Sequence, residues 1–276
     1  MTSTMTLDLS SKEKQLKQEL LKLDSVIIAY SGGVDSSLLA YYGKLLLKDK
    51  CLVVIAVSPS LASFELDFAR SQAQRLNFNL IEINTNETQL PQYKENNVNR
   101  CYFCKSTLFH DLTNLAKIHN ISHIAYGANL DDLDDFRPGH KAAQEYNILA
   151  PLVLAKLTKA DIRLLASLAN LPSYDKPQSA CLSSRFPTFI TIDDTKLSQV
   201  DKAEKYLHDL GFKQLRVRHH NDLARIELAQ VEITRLTQDL TLMNQITEYL
   251  NSLGYKFVTL DLNGYRMGSS VEKSKI

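Results

Sequence analysis

Short apolar runs and amphipathic segments alternate along the first half of the chain. Four apolar runs have the length of buried strands, at residues 26–30, 52–57, 79–83 and 123–126. The stretches between them repeat apolar residues at helical spacing and predict helices over residues 35–47, 64–76 and 102–119. Strands that alternate with helices of this length predict a parallel sheet covered by helices on both faces. In such folds ligands lie beyond the carboxyl ends of the strands.

The alternation ends near residue 175, and the second half of the chain follows a different pattern. Residues 176–190 contain prolines, serines and one cysteine, as expected of a linker or a site loop. A predicted helix ends at Gly211, and the elements of this half are expected over residues 195–210, 215–218, 224–228, 231–253 and 257–260. The pattern predicts three parts: a doubly wound α/β domain (1–175), a cysteine-bearing loop (176–190) and a small α+β domain (191–276).

The composition is that of a globular protein with almost balanced charge. Lys and Arg number 32 against 31 Asp and Glu, so the chain lacks the basic excess expected of a general nucleic-acid binder. No apolar run approaches the ~20 residues that span a bilayer, and the first ten residues do not resemble a signal peptide. Four cysteines are too few for a disulfide scaffold. We therefore expect a cytoplasmic protein whose cysteines are reduced thiols or metal ligands.

Residues 31–37, Ser-Gly-Gly-Val-Asp-Ser-Ser, lie between the first predicted strand and the following helix. The two glycines let the backbone approach a phosphate closely, and the helix start offers unpaired N–H groups at the positive end of its dipole. The alternative is a plain strand-to-helix turn with Asp35 as the N-cap. Neither a G-x-x-x-x-G-K-S/T loop nor a G-x-G-x-x-G loop occurs in the chain. The segment therefore predicts a phosphate site of another kind.

Three of the four cysteines are candidates for chemistry. Cys101 and Cys104 form a C-x-x-C at the predicted start of a helix, where the helix dipole favours the thiolate. Cys181 lies in the loop of residues 176–190. Cys51 opens a buried strand and is interpreted as a small core residue.

Four interpretations of the three candidate thiols remain open. A structural zinc site needs four ligands, and His110 or His140 would supply the fourth. A redox pair would use the C-x-x-C alone and leave Cys181 unexplained. A [4Fe–4S] cluster on three cysteines would leave one iron open to bind a sulfide and present it to an activated substrate. The simplest interpretation is three unrelated thiols.

The glycine loop resembles the SGGxDS loop of the PP-loop ATP pyrophosphatases. Members of that superfamily cleave ATP between the α- and β-phosphates, transfer AMP to a carboxylate or carbonyl oxygen, release pyrophosphate and use Mg²⁺. The resemblance implies an adenine nucleotide alpha hydrolase-like fold for the N-terminal domain. It also implies an ATP site. The adenine would lie near Ala56 and Ser58, and the phosphates would contact Ser31, Gly32, Gly33, Asp35, Ser36 and Ser37.

Three further segments resemble the LarE family, the ATP-dependent sulfur transferases of nickel-pincer nucleotide biosynthesis. They are residues 127–139 (GANLDDLDDFRPG), 180–187 (ACLSSRFP) and 217–227 (VRHHNDLARIE). The resemblance extends from the N-terminal helix to about residue 261. It implies that Gly127 and Asp131 belong to a nucleotide-site loop and that Arg137 anchors that loop. From composition alone, this acidic loop is equally well interpreted as a solvated turn.

The LarE resemblance gives the cysteines a place in the reaction. One branch of the family sacrifices its own cysteine, at the position of Ala180 in this chain, and lacks the C-x-x-C. This chain resembles the other branch, in which three cysteines hold a [4Fe–4S] cluster. The resemblance implies that Cys101, Cys104 and Cys181 are cluster ligands and catalytic residues. The alternative is that Cys181 gives up its own sulfur and is consumed.

The resemblance also implies a substrate, pyridinium-3,5-biscarboxylic acid mononucleotide. Its carboxylates would be adenylated and then converted to thiocarboxylates by sulfide from a donor that the sequence does not name. Because the substrate carries phosphate and carboxylates, we expect it to contact three arginines and one serine: Arg185, Arg216, Arg218 and Ser184. Glu204 and Glu227 are expected to be structural. The family resemblance implies a homohexamer that supplies the cofactor of a lactate racemase.

Three other functions remain open from the sequence. A PP-loop tRNA thiolase can use a three-cysteine cluster, but such enzymes usually need a basic surface, which a net charge of +1 does not favour. An amidating ligase of the NAD- or GMP-synthase kind would need ammonia, usually from a glutaminase domain for which we expect no room in this chain. A zinc-stabilised nucleotide-binding module would not be an enzyme.

Overall fold

A parallel four-stranded sheet forms the centre of the first of two compact units. The computed structural model describes residues 3–134 and 138–266. The first unit consists of Met1–Ser58, Glu65–Glu87 and Asn99–Ser179, and the second of Pro59–Phe64, Thr88–Val98 and Ala180–Ile276. The second unit therefore takes in two short segments from the first half of the chain.

Helices and strands alternate through the first half of the chain, in the order α1 (Ser3–Leu21), β1 (Val26–Tyr30), α2 (Val34–Leu47), β2 (Cys51–Val57), α3 (Ser63–Arg75), β3 (Leu80–Asn84), α4 (Pro91–Lys94), α5 (Arg100–Ile118) and β4 (His123–Tyr126). Three helices follow: α6 (Pro138–Glu145), α7 (Pro151–Leu154) and α8 (Lys159–Leu168). Among the helices of the described residues, none is both long and apolar enough to cross a membrane.

Helices cover both faces of the first sheet. On one face, Ile27 of β1 packs in a buried cluster with Phe109 of α5. On the other face, Gly43 of α2 lies so close to β1 that a Cβ at this glycine would come within 2.6 Å of the Ile28 side chain. The predicted α/β fold with a parallel sheet between helices is therefore confirmed.

The strand order of the first sheet contains one point at which the direction of winding changes. The order is β3-β2-β1-β4, and all three neighbouring pairs are parallel. Chain connections lead from β1 to β2 and β3 on one side and then return to β4 on the other. The direction of winding thus changes between β1 and β4, and in open α/β sheets ligands bind beyond the carboxyl ends of the strands at this change.

A three-stranded sheet and three helices make up most of the second unit. Its elements are α9 (Asp194–Asp209), β5 (Leu215–His220), β6 (Leu223–Leu228), α10 (Gln230–Thr237), α11 (Leu240–Ser252) and β7 (Phe257–Leu260). The strand order is β5-β6-β7, with an antiparallel first pair and a parallel second pair. Leu207, Val217, Ile226 and Leu250 join α9, β5, β6 and α11 in one buried apolar cluster.

Two parts of the helical prediction differ from the structure. The single helix predicted over residues 231–253 is two helices, because Asp239 interrupts it and caps the second by accepting a hydrogen bond from the Leu242 amide at 2.9 Å. Helices α4 and α6 to α8 were not predicted. For α8 a signal was present, since Thr158 and Asp161 form a capping box in which each side chain accepts a hydrogen bond from the other residue's amide.

Candidate active site

The glycine loop joins β1 to α2 through a turn that only glycine fits. Gly32 has a φ of +72°, and a Cβ at this residue would lie 2.8 Å from the Cβ of Ala69. Gly33 is the N-cap of α2 and makes no side-chain capping bond, so the first amides of the helix lack the usual side-chain acceptor. Asp35 lies in the first turn, and the alternative in which it is the N-cap is therefore wrong. This end of the helix presents N–H groups suited to an anion.

The serines of the loop are hydrogen-bonded to one another and to the loop backbone. The hydroxyl oxygens of Ser31 and Ser36 are 3.1 Å apart. Ser37 is buried, donates to the Gly33 carbonyl at 2.7 Å and accepts from Gln72 Nε2 at 2.7 Å. Ser37 thereby holds the loop closed from inside, whereas Ser31 is exposed. Phosphate contacts from these hydroxyls stay a prediction.

The loop after β4 packs directly on the first turn of α2. A Cβ at Gly127 would come within 2.7 Å of the Ser36 amide nitrogen and 3.0 Å of the Asp35 carbonyl carbon. Asn129, which is buried, donates from Nδ2 to Asp35 Oδ1 at 3.1 Å. Two of the predicted nucleotide residues, Gly127 and Asp35, are therefore brought together at the point where the winding of the sheet changes.

A lysine that the sequence analysis missed completes this group. The ammonium group of Lys159 donates to Asp35 Oδ2, and its backbone amide donates to Asp131 Oδ2 at 2.8 Å. Lys159 is the first residue of α8, so the Thr158 capping box places it there. Its side chain is about one-third exposed. The group therefore offers a cation, backbone amides and carboxylates at one site, which suits a phosphate chain accompanied by a metal ion.

The residues expected near the adenine lie at the carboxyl end of β2, next to β1 in the sheet. Ala56 is half-buried within β2. Ser58 donates from its hydroxyl to Glu87 Oε1 at 2.5 Å, and Glu87 is buried. Their contact with adenine stays a prediction. Arg137, expected to anchor the acidic loop, lies outside the described residues.

Cys101 and Cys104 lie at the start of α5, as predicted. The helix begins at Arg100, and its N-cap, Asn99, makes no side-chain capping bond. The two cysteines are three residues apart and so share a face of the helix, with Cys101 exposed and Cys104 half-buried. Cys51 is buried, and this burial raises the pKa of its thiol to about 12, so its interpretation as a core residue is confirmed.

Cys181 belongs to the second unit and precedes a 3₁₀ turn over Leu182–Arg185. This turn is held on two sides. The Leu182 amide donates to the Ser60 carbonyl at 2.8 Å, and the hydroxyls of Ser183 and Tyr93 are 2.5 Å apart in a buried contact. Cys181 itself is exposed. The fold thus presents one thiol on a fixed turn, which we call the cysteine turn (residues 180–185).

Arg185 is buried and paired with Glu204. Its Nε and Nη2 donate to the two carboxylate oxygens at 2.9 and 2.8 Å, and both side chains have 0% exposure. Burial opposes both charges, but the attraction of the pair outweighs it: the pKa of Glu204 is lowered and that of Arg185 is raised. Glu204 has the structural role predicted for it.

The other two predicted substrate arginines lie on β5. Arg218 is buried and donates from Nη2 to Glu227 Oε2 at 2.9 Å. Arg216 donates to the Leu215 carbonyl at 2.8 Å, and its guanidinium carbon lies 5.1 Å from the Tyr265 ring centre. Burial, followed by repulsion from Arg185, lowers the pKa of Arg216. Binding of substrate anions by these arginines stays a prediction.

Possible metal ligands were predicted among the cysteines and two histidines. Within either unit, the described residues contain no group of three or more His, Cys, Asp or Glu side chains arranged to hold a metal ion. His110 is hydrogen-bonded to Asn114 at 3.1 Å. The ring of His140 lies 6.3 Å from that of Tyr126. The cluster ligands Cys101, Cys104 and Cys181 stay a prediction.

Comparison with known proteins identifies relatives that align with nearly the whole chain. No protein-family model matches it. A protein of Lactiplantibacillus plantarum named pyridinium-3,5-bisthiocarboxylic acid mononucleotide synthase is 35% identical over 261 residues, which are 94% of this chain and 94% of that protein. An uncharacterized protein of Synechocystis sp. is 43% identical over 260 residues, covering 94% of this chain and 97% of that protein.

A more distant relative extends the comparison. An uncharacterized protein of Methanocaldococcus jannaschii is 30% identical over 255 residues, or 92% of this chain and 96% of that protein. All three alignments include both compact units, so the likeness is not confined to the first unit. Because the Lactiplantibacillus synthase matches at 35% identity along almost the full length of both proteins, this chain belongs to the pyridinium-3,5-bisthiocarboxylic acid mononucleotide synthase family, LarE.

Proposed function

We propose that this chain is an ATP-dependent sulfur transferase of nickel-pincer cofactor biosynthesis. Its substrate would be pyridinium-3,5-biscarboxylic acid mononucleotide, and its product the bis-thiocarboxylate. The observation that carries the proposal is the end-to-end alignment with a synthase named for that product. The geometry of the glycine loop and of the cysteine turn supports it. We further propose that the protein acts as a homo-oligomer.

The glycine loop suits Mg-ATP as the second substrate. The uncapped start of α2 lies beside Lys159, so amide dipoles and an ammonium group would both face the phosphates. Asp35 and Asp131 supply carboxylate oxygens, the ligands that Mg²⁺ prefers, and Mg²⁺ would arrive with ATP. We propose that, when Mg-ATP binds, the Lys159 ammonium group donates to the phosphates and Mg²⁺ takes its place at Asp35.

Activation by ATP explains why a carboxylate can react at all. A carboxylate oxygen of the substrate attacks the α-phosphorus, the bond to the β-phosphate oxygen breaks, and pyrophosphate leaves. The resulting acyl-adenylate carries AMP as a good leaving group. Sulfide then adds to the acyl carbon and AMP departs, which leaves a thiocarboxylate. The cations of the site stabilise the pyrophosphate charge that develops in the first step.

The three candidate cysteines are chemically suited to bind a sulfur-carrying group. Cys101 and Cys104 share one face at the start of α5, and Cys181 is exposed on a fixed turn. A [4Fe–4S] cluster on three thiolates would supply an open iron at which sulfide can be bound. The chain's own residues would hold the cluster, orient the acyl-adenylate and keep water away from the acyl-adenylate.

Anaerobic purification followed by iron, sulfide and mass analysis tests the proposal. We expect about four irons per chain, which are lost in Cys101→Ala and retained in Cys51→Ala, because Cys51 is a buried core thiol. With Mg-ATP, sulfide and the biscarboxylic substrate, AMP, pyrophosphate and the thiocarboxylate should form together. No AMP release with this substrate would contradict the proposed function.

The same experiment separates the two possible sources of sulfur. If the protein carries no iron and Cys181 loses the mass of one H₂S after a single turnover, the cysteine itself is consumed. If the mass of Cys181 is unchanged through many turnovers, sulfur comes from outside the chain. Both outcomes retain the sulfur-transferase function, and only the second is compatible with the cluster.

A further inference from the structure

Arg185 lies where a substrate-binding arginine is least expected. It has no exposed surface, and two of its three nitrogens are used by Glu204. An arginine that recognises a substrate phosphate needs its planar fork free for the ligand. Because Arg185 is buried and paired, its role follows from the contacts of its remaining nitrogen.

The remaining nitrogen, Nη1, contacts the backbone around the candidate thiol. It donates to the carbonyl of Ala180 at 2.7 Å and to the carbonyl of Cys181 at 3.0 Å. The hydroxyl of Ser184 is a third partner at 2.9 Å. Arg185 thus holds the two carbonyls that flank the Cα of Cys181, and these two peptide planes fix the direction of its Cα–Cβ bond.

Glu204, the ion-pair partner of Arg185, links the cysteine turn to the core of the second unit. Glu204 lies on α9 and also accepts a hydrogen bond from the Val217 amide of β5 at 2.9 Å. Arg218, from the same strand, donates to the Ser184 carbonyl at 2.7 Å. The cysteine turn is thereby linked to a helix and a strand by charged side chains.

We infer that Arg185, oriented by Glu204, is a positioning residue that holds Cys181 for sulfur transfer, a conclusion that rests on the proposed function. Its role is to fix the backbone of the cysteine turn, not to bind the anions of the substrate. A reacting group that is displaced by about 1 Å can lose about a hundredfold in rate. The contacts of Leu182 with Ser60 and of Ser183 with Tyr93 hold the turn after Cys181, whereas Arg185 holds the two carbonyls on either side of the Cys181 Cα.

Arg185→Lys is the primary test variant, because it keeps the positive charge beside Glu204. A single ammonium group cannot serve both carboxylate oxygens and both carbonyls with the geometry of the guanidinium fork. The matched control is Arg70→Lys in the first unit. Arg70 makes the same two-point contact with Glu82, at 2.7 and 2.8 Å, but at an exposed position.

Two measurements on the full chain distinguish positioning from substrate binding. In Arg185→Lys, hydrogen exchange at the amides of Leu182 and Ser184 should become about tenfold faster or more, because both amides are hydrogen-bonded in the cysteine turn. In sulfur transfer, kcat should fall about 10- to 100-fold while KM changes less than about twofold. Arg70→Lys should change neither quantity.

The opposite pattern would overturn the inference. If KM rises strongly while kcat and the exchange rates stay as in the wild type, Arg185 binds substrate. Should Arg185→Lys not fold, the double variant Arg185→Met with Glu204→Gln replaces it. This pair is uncharged, and the Gln amide oxygen still accepts from the Val217 amide, so the hold on the turn is lost without leaving a charge buried.

The exchange measurement keeps this inference separable from the proposed function. If the wild-type chain transfers no sulfur, the proposed function fails and the catalytic half of the inference fails with it. Faster exchange in Arg185→Lys would then still support the anchoring of the turn. Unchanged exchange in a folded, active variant with normal kcat would reject the anchoring itself.

Discussion

The glycine loop of the first unit and the cysteine turn of the second hold short segments by opposite means. The loop is shaped by close backbone approaches, at Gly32 against Ala69 and at Gly127 against the Ser36 amide. The turn is held by two buried guanidinium groups, of Arg185 and Arg218, whose donors reach main-chain carbonyls. One site depends on the absence of side chains, and the other depends on charged ones.

This difference determines how each site fails. A loop built from close approaches is damaged by adding a single carbon, since the crowding atoms belong to backbone or to a packed methyl group. A turn held by buried ions is damaged by removing a partner, because the remaining charge is then buried without compensation. Variants that add a methyl group or delete a charge therefore test the comparison directly.

The largest effect is expected from Glu204→Ala, which breaks the cysteine turn by leaving Arg185 buried and unpaired. We expect the free energy of unfolding to fall by about 3–5 kcal/mol, measured by urea denaturation. Glu82→Ala is the control, because Glu82 makes the same two-point contact with Arg70 at the surface, where solvent screens the charges. Equal losses in the two variants would contradict the distinction between buried and exposed pairs.

A somewhat smaller effect is expected from Gly32→Ala, which breaks the glycine loop. The added Cβ would meet Ala69 at 2.8 Å and the backbone would be held at a φ of +72°. Strain and overpacking together should cost about 2–4 kcal/mol, and ATP binding measured by calorimetry should be lost.

The matched control for this variant is its neighbour. Gly33→Ala places a Cβ no closer than 3.5 Å to Ser31 Oγ, at an ordinary backbone conformation with φ −77° and ψ 163°. Its free energy of unfolding should stay close to that of the wild type. If Gly33→Ala destabilises the protein as much as Gly32→Ala, the positive φ and the contact with Ala69 do not explain the loop.

The two sites also differ in how far the sequence reveals them. The glycine loop was predicted because glycines that permit close approach lie next to one another in the chain, after an apolar run of strand length. Lys159 was missed, since its contact with Asp35 joins residues 124 positions apart. The anchoring role of Arg185 was missed for another reason: the expectation of a substrate-binding arginine assumes exposure, and burial is a property of the fold.

The fold was predicted most successfully where apolar runs are long and regular. All four strands of the first sheet and all three of the second were predicted to within a few residues. The break between α10 and α11 was missed because the apolar spacing continues through Asp239, although an aspartate before Leu240 is a typical N-cap. The segments Pro59–Phe64 and Thr88–Val98 join the second unit through tertiary contacts, which no local pattern encodes.

Lowering the pH gives a further test of the second unit, because this unit contains a buried histidine close to the cysteine turn. The ring of His219 lies 4.9 Å from that of Phe186, and burial lowers its pKa from 6.5 to about 4. In the unfolded chain this histidine takes up a proton as the pH falls below 6.5, whereas the folded protein resists it until about pH 4. The free energy of unfolding should therefore drop by about 3 kcal/mol across this window.

Two variants isolate this contribution in urea denaturation at a series of pH values. His219→Phe keeps a planar ring and should remove the loss of stability between pH 6.5 and 4 that is due to this group. Tyr255→Phe deletes only the hydroxyl that lies 3.2 Å from His219 Nδ1, so the pH dependence should persist. A wild-type profile that matches His219→Phe would show that burial of the ring does not control its protonation.

The smallest effect tests whether side chains also support the glycine loop. Thr158 caps α8 and so places Lys159 beside Asp35. Thr158→Ala should lower the free energy of unfolding by about 1 kcal/mol and weaken ATP binding about two- to fivefold, because Lys159 is held less firmly. Thr158→Ser keeps the capping hydroxyl and should restore both quantities. A loss of affinity in Thr158→Ala as complete as in Gly32→Ala would mean that capping, and not the glycine backbone, shapes the proposed ATP site.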